Sequence, residues 1–238
     1  MRKTLMFVLP ALATLSVGCA PPRTAITGSG DLVTRKEEIS AFDKVDVGHA
    51  FRVDIRQDET FSVVVRVDDN LLDHLVLEKQ GSTLKIGLKP NRFYRGYTGE
   101  ATVTMPELTE LELSGACRGN ITGFQSGETL RVSLSGASQL EGDIEAGDAR
   151  FNLSGASQLT LSGSGDDLRL EASGASIVDL SDFSVDDADL DASGASQATV
   201  YASSTLDVDA SGASTVTYLG RPRMSRIDTS GASSVQRE

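Results

Sequence analysis

The chain has 238 residues, enough for one or two domains, and its formal net charge is -12 at pH 7. It has no Trp, and only 5% of its residues are aromatic, so its core must be built from aliphatic side chains and alanine. Such an acidic composition excludes a nucleic-acid partner, because phosphate binding requires clustered Lys and Arg.

The first 18 residues resemble the signal peptide of a bacterial lipoprotein. Two basic residues precede an apolar stretch (5–17) that is too short to persist as a membrane-spanning helix. The sequence LSVGC (15–19) resembles a lipobox, although Ser16 stands where Leu is commonest. This pattern predicts that Cys19 is the first mature residue and carries the lipid. An ordinary signal peptide with a chance cysteine is the alternative.

A lipid on Cys19 would hold the chain at a membrane of the cell envelope. Ala20, rather than Asp, follows the cysteine, and the usual sorting rule then favours the outer membrane. Cys117 would be left alone, which excludes an intrachain disulfide. Residues 19–39 are predicted to be a lipid-anchored flexible tether, most clearly in the stretch rich in Pro, Gly, Ser and Thr at 20–30.

Residues 40–238 are predicted to form a single β-helix domain, which starts with irregular strands over 40–110. Apolar and polar residues alternate there with a period of two, which indicates half-buried strands. A helix-like stretch, Asn70 to Glu78, is short, and we expect it to matter little. The alternating apolar positions are Val45, Val47, Phe51, Val53, Ile55, Phe61, Val63, Val65, Val67, Leu84, Ile86, Leu88, Ala101, Val103 and Met105.

Over 111–238 the chain repeats a Ser-Gly-Ala motif about every 19 residues. An apolar residue stands three positions before each Ser, and another stands five positions after it, except at Gly119. One such strand-turn-strand unit cannot bury its own apolar face, but stacked units bury a continuous column. The repeat therefore predicts an all-β parallel β-helix (β-solenoid), with an antiparallel sandwich as the alternative. The motif begins at Ser114, Ser135, Ser154, Ser173, Ser193, Ser211 and Ser230.

Each residue of the Ser-Gly-Ala-Ser motif has a predicted role at a corner of the coil. Gly adopts positive φ without strain. We expect Ala to point into a narrow interior, where a larger side chain would overpack. The Ser residues are predicted to bond nearby backbone groups and to stack into hydroxyl ladders along the solenoid.

Five sequence features together resemble the auto-transporter adhesin head (GIN) domain family of bacterial envelope proteins. The likeness runs from about Phe42 to the end of the chain and implies a right-handed β-helix of pectin-lyase-like shape. It also implies an adhesive role, with no catalytic residues to carry over. Since that role is itself inferred from shape, the resemblance supports the fold more than the function. The features are FDKVDV (42–47), VRVDDNLLDHL (65–75), TLKIGL (83–88), VTMPELTELELSGA (103–116) and the Ser-Gly-Ala-Ser series.

Acidic residues recur at fixed positions before the motif. Asp189 and Asp207 stand four residues before the Ser and are flanked in the stack by Arg169 and Arg226. A face that binds Ca²⁺ or a cationic ligand, or a catalytic carboxylate pair, is one interpretation. The favoured one is a solvated outer face on which arginines offset stacked acidic charge. The acidic residues two positions before the Ser are Glu112, Glu171, Asp191, Asp209 and Asp228.

The sequence predicts no catalytic residue, metal site or cofactor. His49 and His74 have no Cys or His neighbour at metal-ligand spacing. Cys117 replaces the second Ser of the first motif, and no base stands near it in sequence. We therefore interpret it as a small turn residue.

A loop from Lys89 to Gly99 (KPNRFYRGYTG) concentrates aromatic and basic residues in a chain with few aromatics. Exposed Arg and Tyr are typical of binding hot spots. The alternative is a connection whose aromatic residues fold back to cap the solenoid. The candidate ligand-binding residues are Arg92, Phe93, Tyr94, Arg95 and Tyr97.

These patterns predict a non-enzymatic lipoprotein of the cell envelope that displays a β-helical surface for binding or adhesion. Its partners would be the membrane, through the lipid on Cys19, and a glycan or protein at a surface. A carbohydrate-active β-helix enzyme is one alternative. A structural protein whose solenoids stack end to end as an oligomer is another, although the polar residues at 236–238 would blunt an open edge.

Overall fold

The computed structural model describes residues 25–238, which form 21 strands and one short 3-10 helix. The predicted signal peptide and Cys19 lie outside the described residues. In the described part, no helix has the length and apolar character needed to cross a membrane.

The strands before the repeats are β1 (Ile26–Thr27), β2 (Leu32–Glu37), β3 (Lys44–Val47), β4 (Arg52–Gln57), β5 (Ser62–Asp68), β6 (Leu75–Gln80), β7 (Thr83–Leu88), β8 (Tyr94–Arg95) and β9 (Gly99–Met105), with the 3-10 helix at Asp69–His74. The strands of the repeats are β10 (Glu110–Leu113), β11 (Arg118–Gln125), β12 (Leu130–Leu134), β13 (Gln139–Glu145), β14 (Ala149–Leu153), β15 (Gln158–Ser164), β16 (Asp167–Ala172), β17 (Ile177–Ala192), β18 (Gln197–Ala210), β19 (Thr215–Gly220), β20 (Arg223–Thr229) and β21 (Ser234–Arg237).

The strand pairings form two long faces, here called sheet A and sheet B, and each coil contributes one strand or half-strand to each. Sheet A stacks β6, β7, β3, β10, β12, β14, β16, the second halves of β17 and β18, and β20. Sheet B stacks β2, β5, β9, β4, β11, β13, β15, the first halves of β17 and β18, then β19 and β21. Every pairing along both faces from β3 and β4 onward is parallel, which confirms the predicted β-solenoid. At about 4.8 Å per strand, the ten strands of sheet A span roughly 43 Å.

The register of the coils follows the predicted apolar columns. The column three positions before the Ser pairs coil by coil, as does the column five positions after it. Gly119 interrupts the second column because Leu113 and Leu140 fill the space in which its side chain would lie. The first column is Leu111, Val132, Phe151, Leu170, Leu190, Val208 and Ile227.

The Ser-Gly-Ala-Ser segment forms the corner turn that joins sheet A to sheet B. Its glycines have positive φ, for example +76° at Gly174, where an added Cβ would also overlap the carbonyl oxygen of Gly155 in the preceding coil. The amide of Ala175 donates to that same carbonyl oxygen at 2.7 Å. Glycine is thus required both for the bend and for the close stacking of successive corners.

The predicted direction of the alanine is wrong. The motif alanines Ala116, Ala137, Ala156, Ala175, Ala195, Ala213 and Ala232 are all exposed. The second serine points inward instead, and five of them, Ser138, Ser157, Ser176, Ser196 and Ser214, are fully buried. Each buried hydroxyl donates to the carbonyl oxygen of the first serine of its own turn, as Ser157 does to Ser154 at 2.9 Å. The predicted bonds of Ser to nearby backbone are present, and they satisfy an otherwise costly buried polar group.

The predicted tether over 19–39 is wrong for residues 26–37, which belong to the folded domain. β2 pairs antiparallel with β5 at the edge of sheet B, and β1 pairs with β8 inside the predicted ligand loop. The 3-10 helix also matters more than expected, because it joins β5 to β6 and buries Leu71 completely. Antiparallel strands and this helix therefore cover the first coil of the solenoid.

Candidate functional site

An open groove of about 400 Å³ runs along the solenoid axis on sheet A, beside the corner turns. Side chains alternate across a strand, so the residue before each corner points inward while its two neighbours point outward. The groove lies between these two outward columns. One wall is formed by the first serines of four corner turns, and the other consists of Glu112, Ser133, Asn152, Glu171 and Asp191.

The two walls of the groove are polar, with acidic groups near its two ends, whereas Leu134, Leu153 and Ala172 contribute an apolar floor. Ser133 and Asn152 lie in the second and third of its five coils and are uncharged. Glu171 and Asp191 are paired in register on adjacent coils, so their α-carbons are about one strand spacing apart. Successive coils therefore offer hydroxyl, amide and carboxylate groups along one line.

The carboxylates at the groove differ in their ionic partners. Glu171 lies 3.3 Å from Arg169, whereas Glu112 and Asp191 have no cation within 4 Å in the described residues. Burial raises the pKa of Glu112 above its ordinary value, and the nearby acids Asp46 and Glu110 act in the same direction. Glu112 thus holds its proton to a higher pH than an exposed glutamate.

The outer acidic columns of sheet A are partly neutralised by arginines. Arg169 contacts Asp189 at 2.7 Å across one coil. Arg226 likewise contacts Asp209 at 3.6 Å and also pairs with Asp228. This confirms the interpretation of Arg169 and Arg226 as groups that offset stacked acidic charge. Among the described residues, no three His, Cys, Asp or Glu side chains are placed to bind a metal ion together.

The predicted ligand loop, Lys89 to Gly99, occupies a corner of the solenoid. It joins β7 of sheet A to β9 of sheet B, just as the Ser-Gly-Ala-Ser turns join later strands. The adjacent corner is Gly48-His49-Ala50-Phe51, in which His49 occupies the place that Gly115 has in the next coil. His49 accordingly has positive φ, at 62°. The loop therefore lies over the end of the column of corner turns.

Two of the five candidate residues hold the loop in place. The Tyr97 hydroxyl donates to the carbonyl oxygen of His49, and the Tyr94 hydroxyl donates to that of Lys89 at 3.0 Å. Both rings are half-buried against the core, and burial raises the pKa of Tyr97 to about 12. The geometry of these two tyrosines thus matches the alternative in which the aromatics cap the solenoid.

The other three candidates, Arg92, Phe93 and Arg95, are exposed, and Phe93 as a residue is 52% exposed. The Arg95 guanidinium donates through Nε to the Thr27 hydroxyl at 3.0 Å, which fixes the loop to β1. The loop therefore presents one aromatic side chain between two cations.

The two histidines, distant in sequence, meet at Tyr94. The His49 ring centroid lies 6.2 Å from that of Tyr94, and the His74 centroid lies 5.8 Å from it, both in edge-on contact. His49 Nδ1 accepts a hydrogen bond from the Leu88 amide at 3.3 Å. The sequence alone could not bring these residues together, because the loop that joins them has no periodicity.

Cys117 is buried, and its thiol forms no disulfide with any described residue. Its thiol lies 3.2 Å from the carbonyl oxygen of Ser114, and burial raises its pKa. A higher pKa lowers the fraction of reactive thiolate, which agrees with its interpretation as a turn residue.

Several solved bacterial structures share this fold. A putative adhesin from Bacteroides fragilis NCTC 9343 superposes with a TM-score of 0.79 at 17% identity, covering 90% of this chain and 100% of that one. A putative lipid binding protein from Parabacteroides distasonis ATCC 8503 gives a TM-score of 0.75 at 22% identity, with coverages of 90% and 100%. A putative adhesin from Parabacteroides merdae ATCC 43184 gives 0.70 at 15% identity, with coverages of 90% and 99%. At these identities the likeness establishes the fold alone.

The sequence itself places the chain in a family. No curated protein matches it. A family model described as "Putative auto-transporter adhesin, head GIN domain" matches residues 41–222, more than half of the chain. The chain therefore belongs to the auto-transporter adhesin head (GIN) domain family.

Proposed function

We propose that this protein is a lipoprotein of the cell envelope that binds an extended surface glycan in the groove of sheet A. Membership of the adhesin head family supports an adhesion-type role and a location at the cell envelope or surface. The lipobox-like sequence at 15–19 supports attachment through a lipid on Cys19. The observation that carries the proposal is the polar groove that runs along the coils.

The shape and chemistry of the groove favour a polymer with a repeating polyol unit. The groove crosses successive coils at the strand spacing of about 4.8 Å, so a repeating ligand meets the first serine of one corner turn after another along one wall. Serine hydroxyls and the Asn152 amide both donate and accept hydrogen bonds. The Glu171 and Asp191 carboxylates accept strong, charge-assisted bonds from sugar hydroxyls.

Glycan binding is tested by measuring the affinity of the full chain for a panel of immobilised surface polysaccharides. The Asn152→Ala, Asp191→Asn double variant should bind a positive glycan at least tenfold more weakly. A matched control is Glu141→Gln with Thr160→Ala, two exposed positions that pair in register on sheet B. Equal affinity of the groove variant and the control would remove the groove from the proposal.

The lipid anchor is tested separately by metabolic labelling with a fatty acid, followed by membrane fractionation. The label should appear on the wild-type chain, should move to a larger, uncleaved precursor in the presence of globomycin, and should be absent from a Cys19→Ala variant. A wild-type chain that takes up no label, or that fractionates with the soluble material, would contradict the anchor.

A second candidate function, cleavage of a bound glycan, is supported by one observation. Glu171 and Asp191 bring two carboxylates onto adjacent coils of the groove, and most glycoside hydrolases use a carboxylate pair. The same glycan panel, assayed for new reducing ends or unsaturated products, separates the two functions. Product formation that is lost in Glu171→Gln would establish the enzyme, and intact glycan after long incubation would reject it.

A further inference from the structure

The exposed part of the 89–99 loop lies beside β1, and β1 follows the predicted lipidation site, Cys19, by only a few residues. β1 and β8 pair side by side, with the Ile26 amide donating to the carbonyl oxygen of Phe93 at 2.8 Å. Only six residues separate Ile26 from Cys19. Because a fully extended chain covers at most about 3.6 Å per residue, Cys19 lies within roughly 25 Å of Ile26, the residue that is hydrogen-bonded to Phe93. A lipid on Cys19 therefore holds this loop near the membrane surface.

The chemistry of the loop differs from that of the rest of the molecule. Residues 89–99 contain three cationic residues and no acidic one, although the whole chain has a net charge of -12. Lys89, Arg92 and Arg95 are exposed and have no carboxylate within 4 Å in the described part of the chain. Phe93 projects among them and is 52% exposed. An aromatic ring beside several cations suits a membrane interface, where the ring enters the headgroup region and the cations meet phosphate.

The loop is held firmly enough to act as a surface. The Tyr94 and Tyr97 hydroxyls bond to backbone carbonyls, and the Asp68 carboxylate, which is 1% exposed, accepts the Gly30 and Thr98 amides. Asp69, a surface acid of the 3-10 helix, accepts a hydrogen bond from the Ser29 hydroxyl at 2.6 Å. These contacts hold residues 92–95 in an exposed position, so that Phe93 and the neighbouring cations can contact a flat surface at the same time.

We propose that Lys89, Arg92, Phe93 and Arg95 dock onto anionic phospholipid headgroups of the membrane that carries the lipid on Cys19. This inference rests on the proposed lipid anchor. Anchored and docked in this way, the solenoid stands on its first coil, with the groove and the later coils directed away from the bilayer. The lipid and the basic loop together provide two membrane signals, a combination that gives a more durable attachment than one signal alone.

The orientation is tested in the full, lipidated chain by placing a polarity-sensitive dye at position 93 through Phe93→Cys. Cys117 is buried and Cys19 carries the lipid, so the introduced thiol is the accessible one. Ile177→Cys, at an exposed position on sheet B in the middle of the solenoid, is the matched control. In vesicles rich in phosphatidylglycerol, the dye at 93 should shift to the blue and be quenched by nitroxide lipids, and the dye at 177 should not. Equal emission at the two positions would overturn the proposal.

The charge requirement is tested with a chain that begins at Ala20, which lacks the predicted signal peptide and the lipidated cysteine and should bind vesicles through the loop. Co-sedimentation with phosphatidylglycerol vesicles should weaken at least tenfold in Arg92→Glu, Arg95→Glu and in Phe93→Ser, and binding to phosphatidylcholine vesicles should be weak throughout. Unchanged sedimentation of these variants would reject the docking surface. This vesicle experiment uses a chain without an acyl group, so its outcome does not depend on whether Cys19 is lipidated. Fatty-acid labelling tests the lipid anchor separately.

Discussion

Cys117 and Ser138 occupy equivalent positions in successive corner turns, each with its side-chain heteroatom against the carbonyl oxygen three residues before it. The thiol lies 3.2 Å from the Ser114 oxygen, and the Ser138 hydroxyl donates to the Ser135 oxygen at 3.0 Å. Phe51 fills the same position in the coil before, with its ring fully buried. Along the solenoid, the buried side chain at this corner position is therefore first an aromatic ring, then a thiol and then a hydroxyl.

Removal of a buried corner hydroxyl should destabilise the solenoid. Ser176→Ala removes a donor that contacts the Ser173 carbonyl oxygen at 2.8 Å. A buried acceptor left without its partner costs about 1–3 kcal/mol, and we expect a loss of that size in the free energy of unfolding. Urea unfolding followed by circular dichroism measures it. Ala175→Ser, at the exposed neighbouring position, is the control and should change stability by less than about 0.5 kcal/mol.

Substitution of a corner glycine should be more damaging. Gly174→Ala places a side chain at φ +76° and against the Gly155 carbonyl oxygen of the preceding coil. The left-handed conformation alone costs an L-residue about 1–2 kcal/mol, and the steric overlap adds to it. We expect a loss of at least about 3 kcal/mol, measured by thermal and urea unfolding. Gly127→Ala, where nothing lies within 4 Å of an added Cβ, is the matched control. Equal stability of the two variants would contradict this account of the corner.

The sequence was sufficient to predict the coil architecture and its register, because identical turns force the apolar columns to align. It was misleading about the corner, where the more apolar Ala is exposed and Ser is buried. Alternation along the strand gives no guide across the turn, because Gly115 and Ala116 are both exposed between the buried Leu113 and Cys117. The strand β2 was missed for a different reason. Among the described strands it pairs only with β5, at an edge, and its exposed Thr34, Arg35 and Lys36 follow no alternating pattern.

Acid should loosen the contact between the 89–99 loop and the first corner. Burial lowers the pKa of His49 below 6.5, so the unfolded chain takes up a proton at a higher pH than the folded one. The stability that His49 contributes is therefore complete above about pH 6.5 and is lost as the pH falls through the folded-state pKa. Protonation also removes the acceptor of the Leu88 amide.

Hydrogen exchange at the Leu88 amide should accordingly show less protection at pH 5 than at pH 7.5, after correction for the intrinsic exchange rate. His49→Asn is the control, since Asn tolerates positive φ and does not titrate. In that variant the corrected protection should be equal at the two pH values. A wild-type protein with the same corrected protection at both would contradict the role of His49.

Truncation of a side chain in one apolar column should lower the free energy of unfolding less in the last coil than in the middle of the solenoid. Leu190 and Ile227 belong to the same column, but Leu190 is 1% exposed and Ile227 is 42% exposed. The difference arises because β20 pairs with β18 on one side and with no strand on the other in the described chain. Leu190→Ala should cost about 2–5 kcal/mol through lost burial and a cavity, whereas Ile227→Ala should cost about 1 kcal/mol or less. Urea unfolding of both variants measures the contrast.

A large loss of stability in Ile227→Ala would show that the last coil is covered in solution, as end-to-end stacking of solenoids requires. A melting temperature that depends on protein concentration would then identify a second copy of the chain as the cover.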